Sequence, residues 1–330
     1  MQYYLVAPVV IVRKNVQAFT YHSEAQLAIG AIVTISVGKK ILTGIVIEQT
    51  KRPDFATKSI AEILTNPGLP QALVQLAHWM SEYYVTPLPI VLQTILPSGL
   101  NKKRRQLTFT QPGVQRQNKK IILNGQQSAA LQAIAATPSG TILLHGVTGS
   151  GKTQVYIEAA KHQSEQGRSS IILVPEISLT PQLVAEFANY YKNIIVTHST
   201  MTEAQRHQVW LQTLMAAEPI IVIGPRSALF MPINNLGLIV VDECHEPSYK
   251  QEQSPRYSAL RVASKLASMH PQAKVVFGSA TPAVSDYYLS ETTHNPLIKL
   301  TKTAVDVTQP LTQLIDCKNR DNFREHRFLS

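Results

Sequence analysis

Residues 141–167 read TILLHGVTGSGKTQVYIEAAKHQSEQG: a short apolar run, a glycine-rich turn and a helix-forming stretch in direct succession. This order restricts the fold more tightly than any other feature. A strand feeding a glycine loop that opens a helix is the unit from which helix-flanked parallel sheets are built. Within it Gly146, Gly151, Lys152 and Thr153 fit the spacing G-x-x-x-x-G-K-[ST], with Thr148, Gly149 and Ser150 between the outer glycines. Glycines allow backbone N–H groups to close around phosphates, lysine reaches the outer phosphates, and the threonine hydroxyl is a ligand for Mg²⁺. The helix adds the positive end of its dipole to the same place, and Gly167 stands where such a helix ends. The stretch implies a bound nucleotide, with ATP and Mg²⁺ as the expected pair.

From residue 121 onward, short apolar runs at 142–145, 171–174, 194–197, 220–223, 238–241 and 274–277 alternate with helical stretches. That alternation is the sign of a parallel sheet between helices. Each run ends in polar residues, and ligands of open parallel sheets lie beyond the carboxyl ends of the strands, so the tips are expected to meet at one crevice. The run at 238–241 delivers Asp242 and Glu243 to such a tip. Beside a magnesium nucleotide the first carboxylate suits the metal, and the second can take a proton from an attacking water. Taken alone, the pair would read as surface acids at a loop start; the apolar run before it and the Cys-His after it favour the site. His245 either packs locally or couples the nucleotide site to neighbouring loops. The next tip, GSATP at 278–282, is expected against it.

The first 99 residues have a different texture. Runs at 3–12, 31–37 and 41–48 are dense in Val, Ile and Tyr and read as strands, with a basic turn at Gly38, Lys39 and Lys40. Leu73, Leu76, Ala77 and Met80 have helical spacing, and Pro87 and Pro89 are expected to stop that helix. Residues 100–120 hold the basic clusters 102–105 and 119–120 around Pro112 and Gly113. They form a linker, either a solvated tether or a patch that tracks a phosphate backbone. One more strand is expected at 311–315. The division is thus 1–99, 100–120, 121–300 and 301–330.

Composition narrows the partners. A net charge of +10 points to a polyanion, and 44% hydrophobic against 16% charged residues excludes a disordered chain. Cys244 and Cys317 are far apart, which excludes a disulfide framework or a zinc cluster within the chain. No run approaches the roughly 18 apolar residues of a membrane span, and the start lacks a basic segment before its apolar run. A cytoplasmic protein without a membrane partner is expected.

Several strings are more specific than the glycine loop alone. GVTGSGKT, LVPEISLTPQ (173–182), VIGPRSALF (222–230), VVDECHEPSYKQEQSPRY (240–257) and GSATP together resemble the PriA family, the primosomal replication-restart helicases of superfamily 2. The resemblance implies an α/β chain with a β-rich amino-terminal DNA-binding domain and one RecA-like P-loop NTPase lobe with a parallel sheet. It puts Gln127 on adenine, Gly146 and Thr148 to Thr153 on the phosphates, and Thr153 and Asp242 on Mg²⁺, with Lys152, Asp242, Glu243 and His245 in catalysis. Cys244 stands where the family usually has an acid or alanine. The segments 175–182 and 225–227, with Arg226, are implied to track single-stranded DNA. The loop carrying Tyr249, Lys250, Arg256 and Tyr257 is implied to couple DNA to hydrolysis. Two tyrosines and two cations fit single-strand stacking, although such a loop can equally fold on itself.

In the amino-terminal part the resemblance implies binding of a nascent 3′ end by Phe19, Thr20, Tyr21, Gly38 and Lys58. Thr20 replaces the family's aspartate, and the two aromatics read equally well as core residues. Residues 100–120 leave no room for the family's winged helix. The second lobe, its arginine finger and the zinc-binding cysteines are expected to lie outside this chain, which offers no zinc ligands. An arginine finger is worth about 10³ to 10⁵ in rate, so a lone first lobe should hydrolyse ATP poorly. The implied activity is ATP-dependent 3′ to 5′ unwinding at stalled or branched forks. Its implied partners are single-stranded and forked DNA, single-strand-binding protein and other primosome proteins. The alternative is a nucleotide-responsive branched-DNA-binding module that does not unwind.

Overall fold

The computed structural model describes residues 1–13, 16–100, 122–293 and 295–304. Most of the expected linker and the strand expected at 311–315 lie outside them. The first sheet contains β1 (Gln2–Pro8), β2 (Phe19–Ser23), β3 (Ile32–Val37), β4 (Lys40–Thr50), β5 (Lys58–Ser59) and β6 (Glu62–Thr65), in the order β5-β2-β1-β4-β3-β6. Its pairs are antiparallel except β2 with β5. Val37 faces Lys40, so Gly38 and Lys39 form the two-residue turn of a hairpin. The first strand ends at Pro8, where the sequence pattern alone carried it to 12.

Two helices follow, α1 (Gln71–Tyr83) and α2 (Leu88–Ile95). Here the prolines expected to stop one helix also start another. Pro87 is the N-cap of α2 and Pro89 lies in its first turn, where the missing N–H would have had no intrahelical partner.

The second sheet is parallel throughout: β7 (Gly140–Gly146), β8 (Ser169–Leu173), β9 (Ile194–Val196), β10 (Ile221–Gly224), β11 (Leu236–Val241), β12 (Lys274–Ser279) and β13 (Leu297–Leu300). The order is β13-β7-β12-β11-β8-β10-β9. The edge strand β13 was not foreseen. Around the sheet lie α3 (Gly125–Ala136), α4 (Lys152–Glu165), α5 (Pro181–Ala188), α6 (Glu203–Leu214), α7 (Ala259–Ser268) and α8 (Val284–Thr292). Strand side chains alternate between two buried faces, which is why the runs read as continuously apolar. Ile172, Leu238, Val240 and Val276 pack with α3 and α4. Ile171, Leu173, Ile239, Val241 and Val275 join a core that continues through α7 into α1 and α2.

That shared core joins the helices after the first sheet to those packed on the second. Trp79 and Tyr83 of α1 and its C-cap Tyr84 meet cations of the second sheet's elements, with Lys265 Nζ 5.8 Å from the Trp79 ring and the Arg261 guanidinium 5.4 Å from Tyr83. The Ser258 amide donates to the Tyr84 hydroxyl at 3.2 Å. Among the described residues no helix is long and apolar enough to cross a membrane.

Candidate active site

The glycine loop joins β7 to α4 at the carboxyl edge of the parallel sheet. Gly151 has φ +78° and a Cβ there would overlap the Gln127 amide and the Gln154 carbonyl oxygen, so both conformation and space demand glycine. Lys152, almost buried, donates to Gly146 O at 3.0 Å and lies 3.8 Å from Glu243 Oε1. The Ser150 hydroxyl is buried and finds no partner among the described residues; a phosphate oxygen would satisfy it. Thr148 and Gly149 are exposed at the mouth, and Thr153 is half-buried in the first turn of α4.

Strand β11 brings Asp242 and Glu243 to the same place, as expected. Glu243 has φ +45°, an uncommon conformation for a residue with a side chain, and it costs on the order of 1 kcal/mol. Such strain persists where the surroundings over-determine it. The Asp242 carboxylate accepts a hydrogen bond from the Tyr156 hydroxyl at 3.0 Å, and its carbonyl accepts one from the Tyr249 hydroxyl at 2.7 Å. Burial, and secondly the charge of Glu243, push the Asp242 pKa up; the Tyr156 hydrogen bond and Lys152 oppose them. His245 Nδ1 lies 2.8 Å from Ser279 Oγ and 3.5 Å from Glu243 Oε2, so the histidine bridges the acid and the GSATP tip. On the other side of that tip, His145 Nε2 lies 3.1 Å from Ala280 O. Burial pushes the Cys244 thiol up to about 12, which keeps it protonated and inert at neutral pH.

Gln127 reaches this site in a different role. Its side chain completes a capping box with Asn124 at the start of α3, and its Nε2 donates to Ser150 O at 2.9 Å and to Gln154 Oε1 at 3.2 Å. Both amide hydrogens are spent within the protein, one on the glycine loop and one on the first turn of α4. None is presented to a base.

The aromatic loop also departs from expectation. Tyr249 and Tyr257 are 3% and 2% exposed, so neither offers a face on which a base could stack. Tyr249 is tied to Asp242, and Tyr257 packs edge-on against Phe230 at 5.4 Å. Arg226 opens the 3₁₀ turn Arg226–Phe230 after β10. Its guanidinium donates to Ser248 O (2.6 Å), Lys250 O (2.7 Å) and Gln251 Oε1 (2.6 Å). The arginine expected on DNA thus staples the loop shut. Lys250 donates to Arg256 O at 2.7 Å and sits 6.0 Å from the Tyr84 ring, while the Arg256 side chain is exposed. A cleft of about 760 Å³ opens beside this loop at the tips of β8, β9 and β10, lined by Glu176, His198, Arg206, Trp210, Arg226 and the end of α2.

In the first sheet Phe19, Thr20 and Tyr21 lie on β2, Tyr21 is level with Lys58 of β5, and Lys58 Nζ lies 3.3 Å from Gly38 O. The five residues are brought together. Tyr21, however, is 4% exposed and donates to Ser36 O at 3.0 Å, so its ring belongs to the core and only Phe19 and Thr20 stay half-exposed. Tyr156 was missed altogether. Its only sequence signal is its place four residues after Lys152, on the same face of the helix.

A DEAD/DEAH box helicase model matches residues 124–288, and the PriA 3′ DNA-binding domain (3′BD) model matches residues 8–97. The replication restart protein PriA of Helicobacter pylori is 35% identical over 294 residues, 87% of this chain and 44% of that protein. PriA of Bacillus subtilis is 37% identical over 235 residues, covering 69% of this chain and 29% of that one. The chain spans less than half the length of these relatives. Among solved structures, RecG bound to a three-way DNA junction overlies 56% of this chain and 24% of that one at 20% identity and a TM-score of 0.42, too weak a likeness to carry an argument. On the two family models and the PriA relatives, the chain belongs to the PriA replication-restart family of DEAD/DEAH box helicases and corresponds to its amino-terminal half.

Proposed function

We propose that this chain supplies the nucleotide-binding lobe and the 3′-end-binding domain of an ATP-dependent 3′ to 5′ DNA helicase acting at stalled or branched forks in replication restart. The observation that carries the reading is the chain of contacts Lys152–Glu243–His245 beside the glycine loop, with Asp242 next to it on Tyr156 and Glu243 held in a strained backbone. The division into 1–99, 100–120, 121–300 and 301–330 is part of the same proposal. Single-strand-binding protein and other primosome proteins are its expected partners in the cytoplasm.

The donor set fits its cofactors. Asp242 and Thr153 offer the hard oxygens that Mg²⁺ prefers, and the unpartnered Ser150 hydroxyl suits a phosphate. When bound, Mg²⁺ would neutralise developing phosphate charge. Lys152 spends one of its three N–H donors on Gly146 O, and the remaining donors would be free to meet the outer phosphates. Glu243 would take the proton of the attacking water. His245, bridging Glu243 and Ser279, would transmit the state of that acid to the GSATP turn.

The test is steady-state ATP turnover by the 330-residue chain with and without forked DNA, with Glu243→Gln as blank. Nucleotide binding by Lys152→Ala is measured alongside. Turnover that rises with DNA and vanishes in Glu243→Gln supports a working site, whereas turnover at blank level assigns hydrolysis to a longer protein. Lys152→Ala should lose ATP affinity and keep DNA binding. Unchanged ATP affinity would overturn the site, and parallel loss of both with the fold intact would overturn the two-domain division.

A further inference from the structure

Helix α4 carries Lys152 and Tyr156 one turn apart, so both side chains leave the same face. Each meets one of the two acids. Lys152 Nζ is 3.8 Å from Glu243 Oε1, and the Tyr156 hydroxyl donates to Asp242 Oδ1 at 3.0 Å. Tyr156 is 1% exposed and packs among Val155, Ile157 and the strand residues of the sheet. A hydroxyl in such surroundings is costly unless it is paired, and phenylalanine would fill the same volume without one.

The space for that hydroxyl comes from Gly278. A Cβ at Gly278 would overlap it and approach Asp242 Oδ1 to 3.5 Å. The backbone of Asp242 is fixed separately, its N–H donating to Leu173 O at 2.9 Å and its carbonyl accepting from Tyr249 at 2.7 Å. With the backbone held from both sides, Tyr156 acts on the rotamer of the carboxylate, which the Glu243 amide also contacts.

We propose that Tyr156 is a positioning residue, holding the Asp242 carboxylate in the rotamer that serves as an oxygen ligand for the magnesium of a bound nucleotide. This rests on the nucleotide-site reading above. Outer partners of a ligating carboxylate fix its direction, and losing one weakens metal binding by about 10- to 100-fold.

The measurement is binding of a fluorescent ATP analogue to the full 330-residue chain as MgCl₂ is titrated, with thermal midpoints recorded in parallel. Tyr156→Phe should keep its affinity in EDTA within about twofold of the parent and need about tenfold more Mg²⁺ for half the gain in affinity. In an Asp242→Asn background the same Tyr156→Phe change should leave the Mg²⁺ midpoint where it was. If Asp242→Asn shifts the Mg²⁺ midpoint and Tyr156→Phe does not, the tyrosine is structural only and the proposal falls. If Asp242→Asn leaves the Mg²⁺ dependence intact, the nucleotide-site reading itself fails. Should Tyr156→Phe not fold, Gly278→Ala keeps the tyrosine but displaces its hydroxyl; a folded Gly278→Ala chain with the parent Mg²⁺ midpoint would equally refute the idea.

Discussion

Replacing Arg226 separates two roles that its position allows. As a DNA contact it would neutralise one phosphate, and removing it would lower the salt dependence of binding by about one unit of slope. As a staple it makes three hydrogen bonds from one charged donor to the loop between Ser248 and Gln251. Hydrogen bonds involving a charged group are worth about 1.5–3 kcal/mol each when well shielded. Here the carbonyls of Ser248 and Lys250 belong to exposed residues that water can solvate once the guanidinium is gone. A discounted value of about 1 kcal/mol each gives roughly 2–3 kcal/mol for Arg226→Ala. Because the loop can open without unfolding the sheet, that loss should appear as local opening. The amide of Gln251, which donates to Tyr257 O at 2.8 Å, should exchange about 30- to 150-fold faster. Arg226→Lys should rescue little, since a single ammonium cannot span three acceptors with the guanidinium's planar fork. Hydrogen exchange and a salt titration of single-strand binding, run on the same variant, decide between the roles. Unchanged exchange at Gln251 with a salt slope reduced by about one would refute the staple.

Two further outcomes follow from the same geometry. Gly278→Ala forces a methyl into the space of the Tyr156 hydroxyl and should destabilise the chain by about 1–3 kcal/mol; a denaturation midpoint equal to the parent's would contradict the packing. Asp242 has its folded pKa raised by burial, so the folded state holds its proton more tightly than the unfolded state does. Stability is therefore lost as pH rises from the ordinary carboxylate value through the folded one, and the penalty is absent at lower pH. In the absence of Mg²⁺ and nucleotide, Asp242→Asn should melt higher than the parent at pH 7.5. That gap should close toward pH 3.5, and a gap that widens on acidification would reverse the sign of the argument.

The parts of the site that could be read from the sequence are those fixed by spacing along one strand or loop. The glycine pattern set the turn between β7 and α4, and the apolar run before Asp242 was enough to bring both acids to the same edge of the sheet. The contact of His245 with Ser279 followed from neighbouring strand tips. What could not be read was the side of the chain on which a residue spends its polar group. Tyr249 and Tyr257 have the same composition whether their loop is open to a base or closed, and the closing agent, Arg226, stands more than twenty residues upstream. Gln127 could offer its amide to a base or to its own glycine loop, and only the position of Ser150 O decides it.

Tyr156 is the extreme case, because in V-Y-I it reads as a core position and its partner is 86 residues away. Yet three of the unread contacts share a centre. Tyr156 holds the Asp242 carboxylate, Tyr249 holds the Asp242 carbonyl, and Arg226 holds the loop from which Tyr249 reaches in. That loop in turn touches the first domain through Lys250 at the Tyr84 ring, and Tyr84 accepts from the amide of Ser258 just beyond it. A displacement of α1 against the second sheet therefore has a physical route of packed and hydrogen-bonded groups to the backbone of Asp242. Spatial continuity alone does not establish energetic coupling. A double-mutant cycle between Tyr84→Phe and Tyr249→Phe, read in nucleotide affinity, would measure it. Additive effects within about 0.5 kcal/mol would mean that the route carries none.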